Sequence, residues 1–343
     1  MLDLLGSFST DMGVDLGTDH TRICLKEEGI VLDEPSVVTV ETRRGKILAQ
    51  GKEARQMQGR TPSGIEVKRP LQDGVIADFD YAKLMLKGFL HQALGRRPLL
   101  RPRLVISVPC GVNSVERRAV LDAAMEAGAG EAYLLEAPLA AALGAGIPVR
   151  EAKACMVVEL GAGATEAAVL AQGKVALSRL LRCGGRSLDD ALVQYSKKKY
   201  NLLIGRLQAE QAKIEIGTVR ETAPPAFMDL RGRDLITGLP RSVTIDQNQM
   251  REALWEPVHR MVDCVRTLLE QLPDLLAREV AEQGIVLTGG GALLRNFDWL
   301  LGRETGLKVW VAEDALSCVA KGTGIAAGHM NLFRRGQRLR RNV

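Results

Sequence analysis

Residues 158–169 read VELGAGATEAAV: an apolar strand closing on an acid, a turn of small residues, then Thr165 opening a second apolar run. A turn of small residues exposes backbone N–H groups with no side chains in front of them, the construction of a phosphate-binding nest. An acid ending the leading strand repels phosphate directly, but it holds Mg²⁺ well through water. One such segment is as readily a plain β-hairpin as a ligand loop. The pattern occurs twice, however. Residues 14–25 read VDLGTDHTRICL, so apolar-acid-Leu-Gly recurs at an offset of 144 residues (158 − 14), with Thr21 matching Thr165. That period is far too long for a solenoid. It predicts a duplicated domain whose halves each bring one hairpin to a shared ligand, and a third glycine turn at Gly289–Ala292 joins the constellation.

The rest of the chain fits an α/β protein of this kind. At 343 residues it has room for two domains, given about 150 residues per domain. Its 46% hydrophobic and 25% charged residues are ordinary globular values that supply a sizeable core. The net charge of +5 is mild, and residues 333–343 (FRRGQRLRRNV) hold five arginines and no acid. The body is therefore near neutral, which argues against a nucleic-acid partner. Six cysteines are scattered with no CxxC pair, the usage of reduced thiols in a cytosolic protein rather than a metal site. No run approaches the length of a membrane-spanning helix, and the start, MLDLLGSFST, lacks the basic region of a secretory signal.

Apolar runs ending in glycine or proline alternate with stretches of helical period. RLVISVPCG (103–111) reads as a buried strand, after which Asn113 and Glu116 form a capping box for a helix stopping near Gly128. GIVLTGGGALL (284–294) reads as a second strand-to-turn unit. It follows an amphipathic stretch from about Met250 to Glu282 that Pro257 and Pro273 are expected to break.

Longer motifs make the chain specific: GIVLDEPSVV, GRTP, RPLQDGVIADFD, VPCGVNSVERRAV, KKKYNLLIG, KIEIG, RGRDLITGLP, GIVLTGGGALLRN and VAEDALSCVAKGTG. In these it resembles the MreB/Mbl family of bacterial actins, part of the actin, heat-shock chaperone and sugar-kinase superfamily, from about Asp15 to Thr323. The resemblance implies an actin-like α/β fold of two duplicated domains, each with a mixed sheet flanked by helices, and a nucleotide cleft between them. The first domain is expected over 1–145 plus about 316–343, with a small subdomain over about 32–70; the second over 146–315, with a small subdomain over about 183–245. ATP and Mg²⁺ are the implied cofactors. The implied partners are further copies of the chain in a filament, other MreB paralogues, the inner face of the cytoplasmic membrane and the cell-wall elongation machinery. The implied place is the cytoplasm, peripheral at that membrane.

Carried over by position, Asp15, Gly17 and Thr18 fall on the first phosphate loop, followed by Asp19 and His20, and Glu159, Gly161, Ala162, Gly163 and Ala164 on the second. Asp15 and Glu159 are the metal acids, acting through water. Glu210 and Lys213 match an AE-x-x-K segment near the nucleoside, and Gly289, Gly290, Gly291 and Ala292 match the turn on the adenosine side. The departures are as informative. The family reads DIGTANT where this chain has DLGTDHT, so Asp19 sets a second carboxylate beside the phosphates, to be compensated by metal or by His20. In the second loop, Glu159 is a methylene longer than the usual Asp, Ala162 adds a Cβ and Ala164 removes a hydroxyl. Arg186 stands where an acid near the metal is usual. Ala137 takes the place of the Glu that orients the attacking water, and losing such a group typically costs on the order of 10²–10⁴ in rate. Glu136, its neighbour, is a weak substitute, because adjacent residues on a helix point about 100° apart. No confident catalytic residue remains, and an ATPase with weak or absent hydrolysis is the expectation.

Between a helix and the strand at 103 lies GRRPLLRPR (95–103). Leu99 and Leu100, collared by Arg96 and Arg97, either fold back on the core or dip between anionic headgroups, and the family position favours the membrane. Leu2, Leu4, Leu5 and Phe8 either line a short amphipathic helix or fray. A sugar kinase would need a polar substrate loop, and a chaperone a substrate domain after about residue 330; the sequence offers neither. The competing reading is a hydrolysis-deficient paralogue that copolymerises with, or regulates, an active MreB.

Overall fold

A computed structural model describes residues 10–95, 101–150, 153–221 and 223–330. They form two compact units, one from the described parts of 1–149 and 317–343, the other from those of 150–316.

In the first unit a five-stranded sheet runs Glu131–Glu136, Arg103–Val108, Asp11–Leu16, His20–Leu25, Gly29–Pro35. Asp11–Leu16 is antiparallel to His20–Leu25 and parallel to Arg103–Val108. The sequence RLVISV is buried over all but its first residue, as a strand covered on both faces requires. Helices Phe79–Leu94 and Ser114–Ala127 cover one face, with Phe89, Met85, Leu104 and Ile106 fully buried at the core, and on the other face Gly13 abuts Thr323 and Gly324 of helix Cys318–Ala327. The second helix opens on the Asn113–Glu116 capping box and closes on Gly128 at φ 117°, as its sequence predicts. Helix Cys318–Ala327 returns the chain to this unit. It meets helix Ala137–Gly144 through Gly144 and Gly322, where any Cβ would run into backbone carbonyls of the facing helix.

The second unit repeats the scheme. Its sheet runs Lys174–Leu181, Thr165–Ala171, Cys155–Leu160, Ile285–Thr288, Val309–Val311, with the first two pairings antiparallel and the last two parallel, the pattern of the first sheet given from its opposite edge. The strand Cys155–Leu160 stands at the repeat offset from Asp11–Leu16 (155 − 11 = 144), so the pattern in the sequence is a repeat of sheet topology. Met156, Leu160, Phe297 and Leu301 are among its buried core residues.

Each unit also carries a small three-stranded sheet. One comprises Lys46–Gln50, Val38–Glu41 and Ile65–Lys68, next to the short helix Lys52–Gln56. The other comprises Leu202–Leu203, Phe227–Asp234 and Pro240–Asp246, near helices Gly185–Tyr200 and Arg206–Ile216.

One sequence expectation is corrected. Pro257 does not break its helix, which runs Gln247–Glu270 straight through it, whereas Pro273 does separate that helix from Asp274–Gln283. Pro257 is buried beside Leu254, Val258 and Met261, and this packing offsets the lost backbone hydrogen bond. Among the described residues, no helix is long and apolar enough to cross a membrane. All six cysteines are free thiols, with Cys24, Cys183, Cys264 and Cys318 buried.

Candidate functional site

The first hairpin turns tightly because Gly17 allows it: a Cβ there would lie 2.5 Å from the His20 carbonyl oxygen. Ser36 then fixes the turn from one side. Its hydroxyl donates to the Gly17 carbonyl at 2.7 Å and lies 2.8 Å from the buried Thr21 hydroxyl, while its backbone N–H donates to the Asp19 carbonyl at 2.8 Å. In a trans peptide the N–H of the next residue points opposite to the carbonyl, so the Thr18 and His20 amides face away from Ser36. The Thr18 hydroxyl accepts a hydrogen bond from the Gly74 N–H at 2.8 Å.

Asp15 sits on the leading strand with little exposure. Burial raises its carboxyl above the ordinary range; the Arg22 guanidinium, 4.0 Å away, and the Ser107 hydroxyl, donating at 3.2 Å, pull the other way. An acid in this state gains from a cation placed against it, which suits the metal role assigned to it.

Asp19 is compensated differently from the sequence expectation. Arg69 Nη1 contacts its Oδ1 at 2.9 Å and Arg55 Nη1 its Oδ2 at 3.4 Å, whereas the His20 ring lies 3.8 Å off and gives its Nδ1 to Asp33 at 2.7 Å. The hydrogen bond from His20 is the main cause that holds the Asp33 carboxyl below the ordinary range. Arg22 Nε adds a contact to Asp33 at 3.2 Å.

In the second unit the loop is joined to a helix. The Gly161 N–H donates to the Ala164 carbonyl at 2.9 Å, closing the turn. Gly185 and Arg186, in the first turn of helix Gly185–Tyr200, donate their N–H groups to the Gly161 and Ala162 carbonyls at 2.9 and 2.8 Å. Those carbonyls are thereby turned to the helix, and the amides of Ala162 and Gly163 face the other way, as a backbone nest requires. The approach is close enough to demand glycine, since a Cβ on Gly184 would lie 2.5 Å from the Gly161 oxygen and 2.7 Å from that of Ala162. Arg186 brings a positive side chain to the same helix end. Thr165, fully buried, ties the loop down through a 2.8 Å bond to the Cys183 carbonyl.

Glu159 is the register partner of Glu166 across the hairpin and of Thr288 on the parallel side. Asp15 holds the corresponding place opposite Arg22, so the acid faces a cation in one unit and another acid in the other. The Thr288 hydroxyl is buried with no hydrogen-bond partner, an orphaned polar atom at the level of Glu159 that suits a bound water or hydrated cation.

The remaining assigned residues divide. Lys213 is a pin: its Nζ donates to the Gly185 carbonyl at 3.0 Å and pairs with Asp189 at 2.7 Å, both side chains largely buried. It supports the helix under the loop. Glu210 lies about one turn earlier on the same helix, Arg206–Ile216, and is partly buried. Gly289, at φ 81°, and Gly291 are glycines because a Cβ on either would lie 2.5 or 2.8 Å from Leu160, the residue before the loop. With Gly290 and Ala292 they form the start of a short 3-10 helix, fastened by a 2.8 Å bond from the Gly289 N–H to the Ala315 carbonyl.

Ala137 is buried at the first position of helix Ala137–Gly144, and Glu136 is the N-cap residue, in an extended conformation. The helical offset expected between them therefore does not apply. Glu136 is instead engaged by Arg117 at 3.5 Å. Arg96, Arg97, Leu99 and Leu100, the amino-terminal segment and the arginine-rich tail lie outside the described residues. Sequence reading missed Arg55, Arg69, Ser36, Asp33, Asp189 and Arg117, although Asp33, Ser36, Arg69 and Arg117 stand in the quoted motifs.

Comparison with known proteins completes the picture. Residues 9–335 match the family model described as MreB/Mbl protein. The cell shape-determining protein MreB of Escherichia coli (strain K12) is 47% identical over 328 residues, covering 94% of each chain. Among solved structures, MreB 5 of Spiroplasma citri bound to AMPPNP superposes with a TM-score of 0.91 at 32% identity, covering 96% of this chain and 99% of that one. The MamK double helical filament, at TM-score 0.78 and 22% identity over 92% of this chain and 98% of its own, shares the fold.

Proposed function

This chain belongs to the MreB/Mbl family, and from that premise we propose that it polymerises into actin-like filaments on the inner face of the cytoplasmic membrane and there organises the cell-wall elongation machinery. It is an MreB-like, cell-shape cytoskeletal protein with an actin-like fold. Each protomer takes ATP, and the observation that carries this is the repeat itself. Two hairpins at matching positions of two sheets of the same topology each turn their loop carbonyls inward and their amides out. Backbone nests of this kind survive the exchange of Gly and Thr for Ala162 and Ala164, because the donors are main-chain groups. The relative solved with AMPPNP supports the nucleotide, and MamK, solved as a filament, supports self-assembly. Mg²⁺ would neutralise phosphate charge, and Asp15 and Glu159 would hold it through water.

A second reading concerns turnover. Ala137 offers no carboxylate to orient water, and Glu136 is held by Arg117. The site then holds ATP more readily than it cuts it, and the chain copolymerises with, or regulates, a more active MreB. Phosphate release and filament formation on anionic vesicles, measured for wild type and for Ala137→Glu, separate the readings. Filaments without release, and release gained in the variant, support the second; wild-type release at the rate of ordinary family members refutes it.

Membrane contact rests on the sequence GRRPLLRPR, two leucines within an arginine collar. Replacing Leu99 and Leu100 by Ser is expected to abolish co-sedimentation with anionic vesicles; unchanged binding shows that the anchor is elsewhere.

A further inference from the structure

A carboxylate on the tip of a phosphate loop is a liability unless something cancels it, and Asp19 is one residue beyond Thr18. The structure gives each of its oxygens a separate guanidinium. Arg69 reaches Oδ1 at 2.9 Å and Arg55 reaches Oδ2 at 3.4 Å, with the three side chains only 20–26% exposed. Arg55 comes from helix Lys52–Gln56 and Arg69 follows the strand Ile65–Lys68, so both belong to the small sheet region of the first unit. The His20 Nε2 lies 3.4 Å from Arg55 Nη1, and its Nδ1 is bonded to Asp33, which Arg22 also touches. Arg22 faces both Asp33 and Asp15, so Arg22, Arg55 and Arg69 balance Asp15, Asp19 and Asp33 (+3 − 3 = 0). The loop thus carries no net negative charge despite its acids.

We propose that Arg55 and Arg69 are positioning residues for nucleotide: they neutralise Asp19 and strap the first phosphate loop to the small sheet, so that the loop does not meet phosphate with an uncompensated negative charge. The inference rests on the reading that this loop takes the phosphates of ATP. It assigns the two arginines a role that exists only because Asp19 is there. An arginine that bound phosphate itself would matter whether or not position 19 is acidic, and a pair that merely stabilised the fold would not distinguish ATP from adenosine.

A mutant cycle tests this on the full chain, with Mg-ATP and adenosine as probes in isothermal titration calorimetry and thermal denaturation run alongside. Arg55→Ala and Arg69→Ala are each expected to weaken Mg-ATP binding roughly three- to tenfold, about the effect of one uncompensated charge near a protein surface, and less at high salt. Adenosine binding should not change. In an Asp19→Ala background the same substitutions should change Mg-ATP affinity by less than about twofold. Equal losses in both backgrounds overturn the proposal in favour of direct phosphate ligands. Unchanged affinity for wild type and variants, with only the melting temperature moving, overturns it in favour of a structural pair. A wild-type chain that takes no Mg-ATP removes the nucleotide reading and this inference together, whereas an additive cycle in a chain that does bind removes only the latter.

Discussion

Replacing Lys213 by Met tests whether this lysine is a structural pin under the second phosphate loop. Its Nζ pairs with Asp189 at 2.7 Å and bonds the Gly185 carbonyl at 3.0 Å, with the two side chains 15% and 10% exposed. Removing one partner of a buried ion pair costs about 3–5 kcal/mol when burial is complete, because the remaining charge loses its counter-charge. The residual exposure lets water reach part of the carboxylate, so about 2–4 kcal/mol is expected here. For a unit of this size each kcal/mol moves the melting temperature by about 2–4 °C, which predicts a fall of roughly 5–12 °C in thermal denaturation followed by circular dichroism. Neutralising the acid as well, in Asp189→Asn with Lys213→Met, should recover most of the loss, because both charges of the pair are then removed together. A single variant costing under about 0.5 kcal/mol, or a double variant as unstable as the two singles summed, would refute the reasoning and return Lys213 to the role of nucleotide contact.

Gly289→Ala should destabilise by about 2–4 kcal/mol in urea unfolding, since it forces a left-handed conformation on Ala and sets its Cβ 2.5 Å from the Leu160 oxygen, a backbone atom that cannot swing aside. The thiol of Cys264 is pushed up by burial to about 11, so iodoacetamide at pH 8 should label it slowly in the native protein and quickly in urea. Its contribution to pH dependence follows: from about pH 9, where the unfolded thiol ionises, to about 11, the native state keeps a proton the unfolded chain releases, so stability falls as pH rises across that window. A Cys264→Ala variant should show a shallower loss over the same range, and an unchanged slope would contradict the assignment.

Much of the candidate site was legible because a phosphate loop is local. Acid, glycine and small residues lie consecutively, and Thr21 and Thr165 follow at fixed spacing in both copies, so the hairpins could be read from twelve residues each. What compensates Asp19 was not legible, since Arg55 and Arg69 stand 36 and 50 residues away, and the motif that Arg69 opens does not say which acid it meets. The same limit applies to Lys213: the motif places it, but its partners Asp189 and Gly185 lie on another helix, and only packing decides that they meet. Pro257 misled for a related reason. Its cost is a local property of the helix, whereas the burial that offsets it is not.

The sequence by itself determined the architecture: two copies of one strand-turn-strand unit, alternating apolar runs and helical periods, and the family motifs between them. These are properties of neighbouring residues, and backbone sterics and burial period act over that range. Only the tertiary structure decided which groups each charged side chain meets, setting Arg55 and Arg69 against Asp19 and Asp189 against Lys213. A charge acts through whatever lies within a few ångströms, and in a folded chain those neighbours come from anywhere in the sequence.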